Sequence, residues 1–112
     1  MKIYLAGPMR GIRNENKEAF AEARAALRDM AHEVFCPSEF SEQNNIHEIK
    51  ECMRFDLAYI LKEAEGIVCL PGWPASKGCL AEVHLAWAIG LPVYEYEFFV
   101  RRILREVKNV PA

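Results

Sequence analysis

The chemistry this sequence can offer is concentrated in one stretch and a few distant side chains. Leu70-Pro71-Gly72-Trp73-Pro74-Ala75-Ser76-Lys77-Gly78-Cys79-Leu80-Ala81-Glu82 begins where an apolar run, Ile67-Val68-Cys69-Leu70, ends. Two prolines and two glycines break regular structure, and a helix is expected from about Gly78 or Cys79. A helix start presents free N–H groups and a partial positive charge, which suit an anion such as phosphate. Ser76, Lys77 and the backbone of Gly78 and Cys79 are candidates to hold one; the plainer reading of Ser76 is a cap. Glu82 lies in the first turn, ahead of Val83-His84-Leu85-Ala86-Trp87-Ala88-Ile89, which is apolar except for His84. A helix that is apolar nearly all round is buried on both flanks. A lone carboxylate there is costly unless it is paired or used. The helix dipole favours its ionised form while burial leaves it poorly solvated. Such a carboxylate is a candidate nucleophile.

Other groups are expected at the same place. Tyr4 stands near the carboxyl end of the first apolar run, and Arg10 in the Gly7-Pro8-Met9-Arg10-Gly11 turn beyond it. Read plainly, they are a strand aromatic with a satisfied hydroxyl and a surface charge. Asp56, between Phe55 and Leu57, falls about 80° off the centre of a helical apolar stripe, at the border of the buried face. Its plain reading is a surface Asp paired with Arg54 or Lys62. Trp73 either stacks on a base or closes its loop over the core. Cys79, at a helix start, is a weaker candidate nucleophile with a lowered pKa.

These residues need elements to position them. Lys2 to Ala6 reads as a buried strand. Asn14 to Ala31 reads as a helix with Phe20, Ala23, Leu27 and Met30 on one face and Asn14 as its cap. Glu33 to Cys36 is a short strand stopped by Pro37, and Ser38 to Asn45 reads as a polar, mobile loop. Ile46 to Ala64 is expected to be the longest helix, with Ile46, Ile49, Met53, Leu57, Ile60 and Ala64 as its apolar stripe. Gly66 to Leu70 and Leu91 to Tyr96 complete the strands, and Phe98 to Val107 reads as a last helix. Strands alternating with helices make a parallel sheet covered on both faces. Right-handed crossovers favour a doubly wound α/β sheet of four strands, five at most, in the order 2-1-3-4. The first and third strands are then neighbours, and their two Gly-containing loops meet at one crevice.

Bulk properties bound the partners. The 112 residues, 52% hydrophobic and 27% charged, suit one globular domain over 1–112. A formal net charge of −2 without a basic run argues against general nucleic-acid binding. No apolar run approaches a membrane span, and the N-terminus is too strand-like for a signal peptide. The cysteines at 36, 52, 69 and 79 and the histidines at 32, 47 and 84 lack metal-ligand spacing. Reduced thiols and a cytoplasmic location are expected, with no metal and no cofactor.

Ile3-Tyr4-Leu5-Ala6-Gly7-Pro8-Met9-Arg10-Gly11, then Asp56, then Leu70-Pro71-Gly72-Trp73 with Ser76-x-Gly78-x-x-x-Glu82 resemble the nucleoside 2-deoxyribosyltransferase-like superfamily. The likeness runs from Met1 to about Tyr96. It is nearest to the small, phage- or prophage-associated branch of unknown function, and more distantly similar to the 2′-deoxynucleoside 5′-monophosphate N-hydrolases. The resemblance implies a flavodoxin-like fold, a homodimer or larger homo-oligomer, and cleavage of the N-glycosidic bond of a nucleoside or nucleotide. It implies Glu82 as the nucleophile on C1′, Asp56 as the acid that engages the departing base, and Tyr4 as the hydroxyl that orients Glu82. From the N-hydrolase branch it implies a 5′-phosphate site at Arg10, Ser76 and the backbone of Gly7 and Gly78. Hydrolysis and deoxyribosyl transfer both fit these residues. The rivals are a nucleotide-binding or sensing module without catalysis, and a phage accessory protein that keeps only the fold.

Overall fold

A computed structural model of the chain describes residues 1–111. Four strands, β1 (Lys2–Ala6), β2 (Glu33–Phe35), β3 (Gly66–Cys69) and β4 (Val93–Glu95), form one sheet. Every pairing is parallel and the order is β2-β1-β3-β4. The helices are α1 (Lys17–Asp29), α2 (Pro37–Gln43), α3 (Ile49–Lys62), α4 (Lys77–Ala88) and α5 (Tyr96–Phe99). Alternation along each strand sends side chains to opposite faces. Ile3, Leu5, Val68 and Leu70 pack with Phe20, Ala23 and Leu27 of α1 and with Phe99 of α5. Tyr4, Ala6, Ile67 and Cys69 face the other way, onto Ile60 of α3, Val83 and Ala86 of α4, and Trp73. Each large apolar side chain so buried contributes about 1.5–3 kcal/mol. The sheet is therefore doubly wound, and the loops after β1 and β3 adjoin.

That adjacency is tight. A Cβ added at Gly7 would sit 2.9 Å from Leu70 Cδ1, 3.0 Å from Leu70 Cβ and 3.0 Å from Phe20 Cζ. Gly7 lets the first loop turn against the end of β3. Gly7→Ala is expected to cost about 1–3 kcal/mol through overpacking, read as a lower denaturant midpoint with unchanged slope.

Several local expectations are corrected. The stretch read as the loop Ser38 to Asn45 contains most of α2. Pro37 opens this helix at a position that suits its fixed φ. Glu39 then ties α2 to α1, accepting from Arg28 at 2.7 and 3.0 Å and pairing with Arg24 at 3.3 Å. Helix α1 begins at Lys17, not Asn14, because Asn14, Glu15 and Asn16 have φ of 53°, 53° and 62°. These residues form a 3-10 turn in which the Asn16 amide donates to the Pro8 carbonyl at 2.9 Å. Helix α3 is shorter than 46–64, and its expected stripe is only partly right. Ile60 is buried, whereas Ile49 is 55% exposed.

The last expected helix is replaced by one turn, α5, after which the chain doubles back along β4. Tyr94 and Glu106 form an antiparallel bridge, and the Val107 N–H donates to the Val93 carbonyl at 2.7 Å. The Trp87 indole N–H holds the same segment by donating to the Val107 carbonyl at 2.8 Å. Among the described residues there is no fifth strand, only this bridge. No helix among them is long and apolar enough to cross a membrane.

Candidate functional site

Tyr4 organises the site. It is fully buried on β1, on the face that meets α3 and α4. Its hydroxyl donates to Glu82 Oε2 of α4. It also interacts with the Asp56 carboxyl of α3. Glu82 is 6% exposed and Asp56 8%. A strand residue thus meets two helices that enter the chain much later, and two carboxyls converge on one phenol. Asp56 takes a place that a strict apolar stripe would give to Leu or Ile.

Burial dominates the electrostatics. It pushes Asp56 up to about 7, against the pull of the Tyr4 hydroxyl. Burial also pushes Glu82 up to about 8; the Tyr4 hydrogen bond opposes that rise and the neighbouring Asp56 charge adds to it. The Tyr4 phenol is held well above its ordinary range, first by burial and then by the two carboxylates. Both acids are thus pushed toward the neutral form, and a charge on Asp56 adds to the rise at Glu82. Helix α4 starts at Lys77, so Glu82 stands in its second turn and not, as expected, in the first, and the free N–H groups of the helix start do little for its ionised form.

The remaining expected site residues have different surroundings. Gly7 and Cys79 bring the two loops together, with the Gly7 N–H facing the Cys79 thiol. Burial raises that thiol to about 11. This corrects the expected lowering and removes Cys79 as a nucleophile near neutral pH. Ser76 caps α4, its hydroxyl accepting from the Cys79 N–H at 3.3 Å. At Gly78, next to it, a Cβ would lie 3.9 Å from the Ser76 hydroxyl, an ordinary contact. Arg10 is exposed on the first loop and, like Lys77 at the start of α4, makes no ion pair among the described residues. No polar contact joins Arg10 to the acid pair. Trp73 is 1% exposed and packs in the core, so its ring closes the loop over the sheet; no face is open for stacking.

One feature escaped the sequence reading. A run of aromatic rings leads outward from Tyr4. Tyr4 stacks on Phe35 at 5.7 Å between centroids, Phe35 meets Phe40 at 5.1 Å, and Phe40 meets Phe55 at 5.3 Å. Tyr59 stacks on Phe35 at 4.5 Å. The one available signal was Phe55 standing next to Asp56. A cleft of about 380 Å³ lies between Trp87, Pro92, Val93 and Val107. Neither Tyr4 nor either of the two acids lines it. Among the described residues no three His, Cys, Asp or Glu side chains are grouped closely enough to hold a metal ion.

Comparison with known proteins adds one relation. A family profile described as "Domain of unknown function (DUF4406)" matches residues 1–95, the whole of the sheet and the acid pair. No curated protein matches the chain.

Proposed function

The chain belongs to the DUF4406 family, and from that starting point we propose that it cleaves the N-glycosidic bond of a nucleoside or its 5′-monophosphate. The observation that carries this reading is the buried contact of Tyr4 with Glu82 and Asp56, two carboxyls of raised pKa on one phenol. Glycoside cleavage through an oxocarbenium-like state uses such a pair, one carboxylate as nucleophile and one acid for the leaving group. The reactive form carries the proton on Asp56 and the charge on Glu82, the minor arrangement of a pair whose Glu82 is the weaker acid. In it Glu82 attacks C1′, the C1′–N bond breaks, and the base leaves with the Asp56 proton. Water then attacks C1′, gives its proton to Asp56 and frees Glu82. A free base taking the place of water gives transfer instead of hydrolysis. Arg10 and the start of α4, with Ser76 and Gly78, are the groups suited to a 5′-phosphate, which favours the monophosphate.

Tyr4→Phe tests how the phenol contributes. The hydroxyl, which donates to Glu82, lowers both carboxyls, so its loss moves both upward. The pH–rate profile should therefore shift bodily to higher pH, with kcat lower by about 10–100-fold. An unshifted profile would argue against the phenol as the group that tunes the pair.

The direct test of the function is base release. Deoxynucleosides, ribonucleosides and their 5′-monophosphates are incubated with the protein, with and without a second free base, and the products separated by chromatography. Free base from at least one substrate is expected. Saturable binding without release would leave a nucleotide-binding module in its place.

A further inference from the structure

We propose that a cavity at the amino ends of β1 and β2 is a second binding site, separate from the acid pair, for a small carboxylate with an apolar body. The inference does not rest on the glycosidase reading.

The cavity has a volume of about 240 Å³ and is lined by Met1, Met30, His32, Phe99, Arg102 and Leu104. Met1 directly precedes β1, His32 directly precedes β2, and Met30 caps the end of α1. Met30 and Phe99 pack on the α1 and α5 side of the sheet, whereas Tyr4 lies on the other side.

Two helix ends shape the cavity. After α1, the His32 N–H donates to the Leu27 carbonyl at 3.2 Å and the Ala31 N–H to the Arg28 carbonyl at 3.0 Å. After α5, the Ile103 N–H donates to the Phe98 carbonyl and the Arg102 N–H to the Phe99 carbonyl, both at 2.9 Å. Each is the double closure that ends a helix on a left-handed residue, most often glycine. Here those residues are Ala31, with φ of 69°, and Arg102, with φ of 61°. A residue with a Cβ is strained in this conformation. Arginine at 102 therefore costs stability and brings a guanidinium to the cavity. Arg102 makes no ion pair among the described residues. Its charge reaches His32: burial first, and then nearby positive charge, that of Arg102 included, holds the ring below its ordinary pKa. The ring is thus neutral at neutral pH. The Met1 nitrogen donates to its Nδ1 at 3.2 Å, so the ring proton sits on Nε2.

Charge and surface name the occupant. Of the six lining side chains only Arg102 carries a full charge at neutral pH, which suits a monoanion better than a phosphate dianion. A guanidinium offers a planar fork that matches a carboxylate, and the His32 Nε2–H is a further donor. The other four side chains are apolar. Met1 and Leu104 are 43% and 66% exposed, surface that an apolar body would cover. At about 30 Å³ for each water-sized group, the cavity takes about eight non-hydrogen atoms, the size of hexanoate.

The test is a titration of hexanoate into the full chain, followed by amide chemical shifts in NMR spectra. Saturable shifts at His32, Phe99, Arg102 and Leu104 are expected, with one dissociation constant of about 1 mM or tighter. Acetate, which lacks the body, and hexanol, which lacks the charge, should each bind at least about tenfold more weakly. Arg102→Gly separates binding from folding. Glycine suits the left-handed turn, so the melting temperature should stay level or rise while hexanoate binding weakens by about tenfold or more. Were the glycine variant to unfold, Arg102→Gln, which removes the charge and keeps a long side chain, would be read in the same way. No saturable shift in the parent, shifts that map elsewhere, equal affinity for acetate or hexanol, or unchanged binding in the folded variant would each overturn the inference.

Discussion

Glu82→Gln should bring base release down by about 10³-fold or more while the protein stays folded. The expectation follows from two properties of the site. A carboxamide has the size and shape of the carboxyl and still accepts a hydrogen bond from Tyr4, so the packing between β1 and α4 survives. It cannot form the ester bond to C1′ that a carboxylate nucleophile forms, and losses of this size are usual when an acting group is removed. Asp56→Asn should also be impaired, though less so for substrates whose base leaves easily without a proton, because an acid is dispensable in proportion to leaving-group quality. Chromatography of the released base, with single-turnover kinetics on both variants, checks this. Undiminished turnover in Glu82→Gln would remove Glu82 from the reaction. Loss of turnover with loss of near-UV circular dichroism would make its role structural.

The second large effect is on stability, and it has the opposite sign. Asp56 and Glu82 ordinarily ionise at 3.8 and 4.5, and in the folded protein they are raised to about 7 and about 8. Between these ranges the folded state holds more protons than the unfolded chain. Unfolding then releases protons, so stability falls as pH rises from about 4.5 to about 8 and levels off above that. The pair together should cost on the order of a few kcal/mol at the alkaline end. Glu82→Gln with Asp56→Asn removes both ionisations. The double variant should thus be more stable than the parent at alkaline pH, and its melting temperature should vary far less across the range. Melting temperatures of both proteins, measured at pH intervals from about 5 to about 9, decide the point. Parallel profiles would mean that the carboxyls are better hydrated than their burial implies. A protein that becomes more stable when its two acids are neutralised keeps them at a thermodynamic cost, as functional sites commonly do.

The strand order was legible because four apolar runs alternate with helix-length periodic segments, and chirality leaves few ways to connect them. Tyr4 and Glu82 were legible for a related reason. A polar group inside an otherwise apolar pattern has to find a partner, and the topology brings those two segments together. The misread parts are those whose state depends on distant contacts. Helix α2 is seven residues long and polar, too short to show a period; it exists because Pro37 starts it and Glu39 meets two arginines of α1. The segment after Phe99 has helical periodicity, yet the free edge of β4 and the Trp87 indole capture it instead. Trp73 was ambiguous between surface and core because loop composition does not reveal which way a ring turns. The run of aromatic rings was invisible because Phe35, Phe40 and Phe55 become neighbours only after α2 and α3 pack.

The all-parallel sheet has a consequence for how the chain is made. No two neighbouring strands can pair as a hairpin, and the central strand β1 is synthesised before either of its neighbours. Ile3 finds Val34 as one partner but must wait for Gly66 to find the other, and Tyr4 meets Glu82 only 78 residues after its own synthesis. Folding is therefore dominated by long-range closure, which is intrinsically slow. Until β3 docks, β1 has an unpaired edge, the kind of surface that holdase chaperones shield and that nascent chains can misuse. Tyr4 and Glu82 can lose their hydration together only once α4 packs on the sheet. The cost of assembling the site thus falls late, on the step that completes the sheet.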